Sequence, residues 1–226
     1  MERKIVKTAD GSTTIQITNW NEQYHSMHGA VQEARHVFLK MGFDHAFAKA
    51  GQPDELHILE IGFGTGLNAL LTLIHAEKLP VKLKYEGVEA FPVSTEELKQ
   101  LNYLETIEAE SYREIFDAMH QTPWEEEHAI TSQFHLKKRE QTFETITDIS
   151  KHDLIYFDAF GARVQPELWE EPIFQKMFDA LNPGGVLVTY AAKGSVRRAM
   201  QSVGFTVERL PGPPGKREML RAVKNS

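Results

Sequence analysis

The sequence predicts an α/β protein whose core is a doubly wound, mostly parallel sheet of seven strands with an antiparallel last strand. Short apolar runs alternate with helical patterns between residues 56 and 203, which is the order that builds parallel strands connected by helices. The final two predicted strands, 205–210 and 218–223, are joined by a short loop rich in proline and glycine. Because a parallel pair would need a longer crossover, this last pair is expected to be antiparallel.

The predicted strands are short and mostly apolar, as is typical of strands that are buried on both faces of a sheet. They cover residues 56–61, 83–89, 134–138, 153–158, 186–191, 205–210 and 218–223. Helical patterns cover residues 67–77, 93–101, 105–119, 170–181 and 195–203. The last two of these helices are followed by a proline–glycine sequence or by a glycine, which are common helix-terminating signals.

Residues 1–50 are expected to form a short N-terminal extension that packs on a main, ligand-binding domain of residues 51–226. Residues 13–17 alternate polar and apolar side chains with the period of a strand, and residues 29–50 carry apolar side chains at helical spacing. Gly51 and Pro53 then break the helical pattern. The extension is therefore predicted to contribute strands and one helix.

The composition excludes several kinds of site. The chain of 226 residues contains no cysteine, so it has no disulfide, no thiolate nucleophile and no cysteine-bound metal. The histidines between residues 25 and 45 match no zinc-ligand spacing, and no metal site is expected. The N-terminus lacks an apolar signal core, and no apolar run is long enough to span a bilayer. We therefore expect a cytoplasmic protein with no membrane partner.

The charge is unevenly distributed along the chain. The formal net charge of −7 argues against a polyanionic partner. Residues 193–221 nevertheless carry seven basic and two acidic residues. One locally basic region on an otherwise acidic surface is therefore expected.

A glycine-rich turn follows the first predicted strand of the main domain and opens the first helix. Its glycines are Gly62, Gly64 and Gly66, and glycines at such a position let the chain turn sharply and let a ligand approach the backbone. A dinucleotide-binding turn has the spacing G-x-G-x-x-G, but Leu67 stands where its third glycine would be. The turn therefore favours a ligand other than a dinucleotide, held at the carboxyl end of a strand.

Acidic side chains accompany this turn. Glu60 precedes the glycines, where it would repel a diphosphate but suit the cationic amino group of a methionine moiety. Glu89 ends the second strand, where a carboxylate accepts hydrogen bonds from ribose hydroxyls, and Glu140 follows the third strand and would border an adenine. The predicted cofactor is S-adenosylmethionine. Its other candidate contacts are Gly62, Phe63, Gly64, Gly66 and Asn68.

Asp158 is the candidate catalytic residue. It ends the fourth predicted strand, which neighbours the first strand in the usual doubly wound order. An acid at this place would contact the cofactor near the transferred group, orient an amine and accept its proton. Trp169 starts the helix that follows and is expected to belong to the core, as buried tryptophans generally do.

The chain resembles the methyltransferase domain of MnmC from about residue 24 to residue 222. The motifs that carry the resemblance lie at residues 28–38, 62–68, 157–160, 166–169 and 216–220. The resemblance implies a class I, Rossmann-like methyltransferase fold with Asp158 as the catalytic aspartate. It also implies methylation of the aminomethyl group of 5-aminomethyl(-2-thio)uridine at the tRNA wobble position, which gives the 5-methylaminomethyl form.

The resemblance further implies partners. The family's FAD-dependent oxidase part has no counterpart here, so we expect a stand-alone, MnmD-type enzyme that uses no FAD and works with a separate oxidase. The expected macromolecular partner is the tRNA anticodon loop, because cations can hold its phosphates without reading its sequence. The candidate cations are Arg197, Arg198, Lys216 and Arg217.

The chain departs from the family pattern at two places near the expected site. Arg139 and Glu140 replace a Gly-Asp pair after the third strand, and residues 159–162 differ from the sequence that usually follows the aspartate. Glu33 and Arg35 match family positions, but the sequence assigns them no role.

Two other classes of function stay open. One is a methyltransferase or aminopropyltransferase that acts on a small amine, which the acidic net charge favours. The other is a binding module that keeps the fold without catalysing a reaction.

Overall fold

The computed structural model describes residues 2–225 and contains two sheets. The first is a three-stranded antiparallel sheet of β1 (Arg3–Lys7), β2 (Thr13–Ile17) and β3 (Glu22–Gln23). The second has eight strands: β4 (Glu55–Ile61), β5 (Lys82–Glu89), β6 (Glu127–Ala129), β7 (Phe134–Glu140), β8 (His152–Phe157), β9 (Leu181–Thr189), β10 (Thr206–Pro211) and β11 (Glu218–Val223). Their order is β10-β11-β9-β8-β4-β5-β7-β6.

The order of the large sheet creates a switch point beside β4. The chain runs from β4 outward through β5 to β7 and then returns to β8 on the other side of β4, and all of these pairs are parallel. In open parallel sheets, ligands bind at the carboxyl ends of the strands at such a reversal. The predicted doubly wound fold is confirmed, and it brings the ends of β4, β5 and β8 together.

The strand count differs from the prediction by one. The sheet has eight strands instead of seven, because β6 adds antiparallel to the outer edge of β7. This edge strand has three residues and two of them are exposed, so it lacks the alternation that a sequence pattern would reveal. The antiparallel last strand is confirmed, since β11 pairs antiparallel with both β9 and β10.

Helices cover both faces of the large sheet. They are α1 (Ala30–Ala34), α2 (Asp44–Lys49), α3 (Leu67–Ala76), α4 (Thr95–Leu98), α5 (Tyr103–Thr106), α6 (Arg113–Gln121), α7 (Glu171–Ala180) and α8 (Gly194–Ser202). A π-helix, Arg35–Phe43, joins α1 to α2, and together they form the helix predicted for residues 29–50. The predicted helices at 93–101 and 105–119 are shorter and interrupted, with a 3-10 turn at Glu110–Tyr112 before α6.

The core consists of one apolar layer on each face of the sheet. Successive residues of β4 point to opposite faces. Accordingly, Leu56 and Ile58 belong to the layer under α1–α3, whereas Leu59 and Ile61 belong to the layer under α7 and α8. Trp169 is only 4% exposed in the second layer, which confirms its predicted core position.

The N-terminal segment shares this core. Ile15 of β2 and the buried side chains of the first helical segment pack in the same apolar layer as β4 and α3. Gly42 lies so close to the sheet that a Cβ there would stand 2.8 Å from the side chain of Val188. Within residues 2–225, no helix is long and apolar enough to cross a membrane.

Candidate active site

A cavity of about 430 Å³ opens at the carboxyl edge of the large sheet. The turn after β4 and the ends of β5 and β8 form its inner wall, and residues 20–28 of the N-terminal segment form its outer wall. The predicted site residues that line it are Gly62, Phe63, Gly64, Asn68, Glu89, Asp158 and Lys216. Those that do not line it are Glu60, Gly66, Glu140, Arg197, Arg198 and Arg217.

The glycine turn requires its glycines. Gly62, Gly64 and Gly66 have φ angles of 89°, 51° and 72°, a region that other residues rarely adopt. A Cβ on Gly62 would stand 2.6 Å from the backbone oxygen of Asp158. The amides of Gly62 and Phe63 both donate to the carbonyl oxygen of Val88, at 3.0 Å each. The turn is thereby held against the ends of β5 and β8, with Gly62 and Gly64 lining the cavity.

Glu89 is fixed beside this turn. The backbone N–H of Gly64 donates to its Oε2 at 3.0 Å, and the N–H of Phe91 donates to its Oε1 at 2.9 Å. The carboxylate is 9% exposed and lines the cavity. Two backbone donors orient the carboxylate before any ligand arrives, which is the arrangement expected of a hydroxyl-binding acid.

Glu60 lies behind the cavity wall and does not line the cavity, so the structure gives its predicted direct contact with the cofactor no support. Its Oε1 accepts a hydrogen bond from Nδ2 of Asn68 at 2.8 Å, and its Oε2 accepts one from the hydroxyl of Tyr85, also at 2.8 Å. Burial raises the pKa of Glu60 well above its ordinary value. Its side chain therefore acts on the cavity through Asn68.

Asn68 connects Glu60 to Asp158. The same Nδ2 also donates to Oδ2 of Asp158 at 2.9 Å. Its Oδ1 is buried and has no hydrogen-bond partner among residues 2–225. Because buried acceptors are nearly always paired, this oxygen is suited to a donor supplied by a ligand.

Asp158 follows β8 at the switch point. Its backbone N–H donates to the carbonyl oxygen of Ile61 at 2.9 Å, which fixes it beside the glycine turn. Burial, and then the negative charge of Glu33, raise the pKa of Asp158 to about 7, while Asn68 and Lys216 oppose the rise. A carboxyl group with such a pKa can exchange protons near neutral pH.

An aromatic wall of Trp20, Tyr24 and Phe160 lines the cavity, and the ring of Tyr24 lies against the glycine turn, 3.0 Å from the position that a Cβ of Gly64 would take. Phe160 lies edge-to-face with Tyr24 and Trp20, with ring centroids 5.0 and 5.8 Å apart. Arg163 donates to the backbone oxygens of Trp20 and Asn21, which ties the N-terminal segment to the loop after β8. Sequence patterns missed this wall because its members are far apart in the chain and belong to loops without periodicity.

Glu140 does not reach the cavity. Its side chain is exposed at the end of β7, and the adjacent Arg139 turns inward to form ion pairs with Glu86 at 3.1 Å and Asp148 at 2.6 Å. Of the two positions that depart from the family pattern, only Arg139 takes part in this ion-pair network. The structure gives the predicted adenine contact of Glu140 no support.

The predicted cations occupy different places. Lys216 enters the cavity and pairs with Glu33, with Nζ 2.5 Å from Oε2, instead of facing outward as a phosphate contact would. Arg217 lines an adjoining groove of about 510 Å³ that also contacts Lys193 and Val196 of the α8 region. Arg197 and Arg198 lie in α8 itself. Basic side chains thus flank the cavity on the side of α8 and the last hairpin.

The model of a protein family matches residues 106–225, which is more than half of the chain. The family is described as S-adenosyl-L-methionine-dependent methyltransferase. The chain belongs to this family. The cofactor that the family description names is S-adenosyl-L-methionine, which is the cofactor predicted from the sequence.

Curated proteins that are similar in sequence to the methyltransferase are named MnmC. The "tRNA 5-methylaminomethyl-2-thiouridine biosynthesis bifunctional protein MnmC" of Idiomarina loihiensis is 30% identical over 215 residues, which cover 90% of this chain and 36% of that protein. The protein of the same name from Hydrogenovibrio crunogenus is 29% identical, over 89% of this chain and 31% of that protein. The methyltransferase thus spans about a third of the length of these relatives.

Solved structures share the fold of the methyltransferase. MNMC2 from Aquifex aeolicus superposes with a TM-score of 0.80 at 24% identity and covers all of this chain and 71% of that one. Spermidine synthase from Thermotoga maritima superposes with a TM-score of 0.57 at 14% identity, over 98% and 68% of the two chains. The eight-stranded sheet and its switch point are therefore a known architecture.

The residues present fit S-adenosylmethionine. Gly62 and Gly64 line the cavity, the Glu89 carboxylate is held at the end of β5, and Oδ1 of Asn68 is a buried acceptor without a donor among residues 2–225. The turn and Glu89 would hold the nucleoside, and Asn68 would hold the amino acid part. Asp158 lines the same cavity.

Proposed function

We propose that this methyltransferase methylates the aminomethyl group of 5-aminomethyluridine, with or without 2-thiolation, at the wobble position of tRNA. The observation that carries the proposal is Asp158, a carboxyl group at the switch point whose pKa of about 7 suits proton exchange with an amine. The names of the MnmC relatives support the same substrate. The product would be the 5-methylaminomethyl nucleoside.

The chemistry divides between the cofactor and Asp158. Bound S-adenosylmethionine supplies a methyl group on a sulfonium, a carbon that an amine lone pair can attack while the sulfur keeps the bonding electrons. The acceptor arrives as an ammonium, because a primary alkylamine titrates near pH 10, as lysine does. Because Asn68 donates a hydrogen bond to Oδ2 of Asp158, the other oxygen, Oδ1, is left to receive the ammonium proton and to orient the freed lone pair.

Recognition of tRNA would use the basic flank of the cavity. Arg217 and Lys193 line the groove beside the reaction cavity, and Arg197 and Arg198 lie on the neighbouring helix. Phosphate contacts of this kind position a nucleic acid without reading its sequence. A wobble base is already exposed in its loop, so entry into a pocket with an aromatic wall needs little unstacking energy.

The decisive experiment is methyl transfer to tRNA that lacks the final methylation. The purified protein is incubated with such tRNA and labelled S-adenosylmethionine, and the nucleosides are then separated. Label in the nucleoside at position 34 supports the proposal. Intact cofactor binding without label in that nucleoside would reject it.

The pH dependence provides an independent check on Asp158. As the proton acceptor, Asp158 must be ionised in the free enzyme, so we expect kcat/KM to rise with pH through about 7. An aspartate with its usual pKa would give a flat profile from pH 5 upward. Single-turnover rates between pH 5 and 9, in buffers of constant ionic strength, measure the position of this limb.

A second candidate substrate is a small amine. The cavity is lined by Glu22, Glu33, Glu89 and Asp158, and a protein with the same fold is a spermidine synthase. Salt separates the two candidates, because phosphate contacts weaken steeply as salt rises whereas turnover of a small amine does not share that slope. A steep decline of kcat/KM for tRNA between 50 and 200 mM salt is expected, and a flat response would favour the small amine.

The proposed partner is a FAD-dependent oxidase. The MnmC relatives are named bifunctional proteins, and this chain covers about a third of each. We infer that a separate FAD-dependent oxidase carries out the oxidase step. The absence of FAD and metal from the methyl transfer stays a prediction, as does the cytoplasmic location.

A further inference from the structure

Glu33 is a second carboxylate in the reaction cavity, and both of its oxygens are already held. It projects from α1, is 8% exposed, and accepts a hydrogen bond from the backbone N–H of Ser26 on Oε1 at 3.2 Å. Its Oε2 accepts a hydrogen bond from the ammonium of Lys216, with an Nζ–Oε2 distance of 2.5 Å. In the sequence analysis, Glu33 matches a position of the MnmC family but is assigned no role. Its burial and double anchoring indicate a fixed orientation toward the cavity.

The ammonium of Lys216 lies against the reaction wall. It stands 4.0 Å from the ring centroid of Tyr190, within the distance of a cation–π contact. The hydroxyl of Tyr190 in turn donates to the backbone oxygen of Ala159, the residue after Asp158, at 2.8 Å. A primary ammonium therefore occupies a place bordered by one carboxylate and one aromatic face, adjacent to the proposed proton acceptor.

Resting on the proposed function, we propose that Glu33 is a positioning residue for the amino group of the methyl acceptor, and that Lys216 holds this place until the acceptor enters. A primary alkylammonium has the same shape, charge and donors as the head of lysine. It can exchange with Lys216 at Glu33 and bring its nitrogen toward Asp158. A hydroxyl acceptor carries no charge with which to displace the lysine, so the site selects amines.

The exchange also conserves charge. With Glu33 and Asp158 ionised, these two carboxylates face one cation before and after the exchange, first the ammonium of Lys216 and then that of the acceptor. One proton then passes from the ammonium to Asp158, and the freed lone pair forms the new C–N bond as the methyl carbon leaves sulfur. The product is a secondary ammonium, which again pairs with Glu33 until it departs.

The charged and titratable groups around Asp158 come from several elements. They are Glu33 of α1, Lys216 of the last hairpin, Tyr190 after β9 and, through Asn68, Glu60 of β4. Glu33 and Lys216 affect the pKa of Asp158 in opposite directions. The acid limb of the rate profile is the pH range over which activity rises as Asp158 ionises. Removing Glu33 should therefore move this limb to lower pH, and removing Lys216 should move it to higher pH.

The test compares Glu33→Gln, Lys216→Gln and the double variant with the wild type, on tRNA that lacks the final methylation. For Glu33→Gln we expect KM for tRNA to rise about tenfold or more, since a charge-assisted hydrogen bond to the acceptor is lost. Its acid limb should move to lower pH, and that of Lys216→Gln to higher pH. The dissociation constant of S-adenosylmethionine, measured by calorimetry, should stay the same in all four proteins.

The double variant separates positioning from structure. If the pair were only a structural ion pair, removing both charges would restore wild-type kinetics, because no unpaired buried charge remains. If Glu33 positions the acceptor, the double variant keeps the raised KM. A wild-type KM in either Glu33→Gln or the double variant would overturn this inference alone. Failure of the wild type to methylate tRNA would instead overturn the proposed function.

Discussion

Asp158→Asn is expected to lose about 10²- to 10⁴-fold in kcat, which is the usual contribution of a positioned general base. Asparagine keeps the size of the side chain and its contact with Asn68, but it cannot accept the acceptor's proton. The rise of activity through pH about 7 should disappear with it. Single-turnover rates with saturating tRNA and cofactor measure both effects.

The controls for this variant concern binding and folding. Calorimetry should give the wild-type affinity for S-adenosylmethionine, because the glycine turn and Glu89 are untouched. Burial disfavours the ionised form of Asp158, so above pH 7 the neutral amide should unfold at an equal or higher temperature than the wild type. Asp54→Asn, an exposed change at the opposite edge of the sheet, should leave turnover unchanged. An active Asp158→Asn enzyme would remove this residue from the mechanism.

Gly62→Ala is expected to abolish most cofactor binding. The φ of Gly62 is 89°, and a Cβ there would lie 2.6 Å from the backbone oxygen of Asp158, a distance that real Cβ atoms essentially never show. The Cβ is bonded to the backbone and the Asp158 oxygen belongs to it, so neither atom can rotate away. The turn must therefore move away from the end of β8. The strain costs about 1–3 kcal/mol, and the cofactor cradle and Asp158 are displaced together.

Gly51→Ala is the matched control for this change. Gly51 has a similar φ of 76°, but no atom lies within 4 Å of its Cβ position, and it lies far from the site in the loop before β4. Both variants should melt at lower temperature than the wild type because both strain the backbone. Only Gly62→Ala should weaken S-adenosylmethionine binding by tenfold or more. Equal affinities in the two variants would show that the collision with Asp158 has no effect on the site.

The central strands and helices were predictable because their patterns are local. The strand predicted at 56–61 is β4 (Glu55–Ile61), and the helix predicted at 67–77 is α3 (Leu67–Ala76). Both are mostly apolar because each is buried in the middle of the fold. The edge strand β6 and the interruption of the helix predicted at 105–119 were not predictable, since partly exposed short elements depend on tertiary contacts for their stability.

For the site, the sequence predicted which residues come together but not where their side chains point. Glycines and acids at the ends of β4, β5 and β8 converge because the carboxyl ends of parallel strands share one edge, and Gly62, Glu89 and Asp158 all line one cavity. The direction of each side chain was not predictable. Glu60 and Glu89 are both acids near the turn, yet Glu60 points into the core toward Tyr85.

The sequence by itself determined the order of the elements, the glycine turn and the acids that follow the strands, because periodicity and backbone strain are properties of neighbouring residues. Only the tertiary structure decided that the N-terminal segment supplies the aromatic wall, and that Lys216 meets Glu33 across 183 positions of the chain. Contacts between distant residues depend on how the layers pack around the sheet. A linear pattern contains no record of that packing.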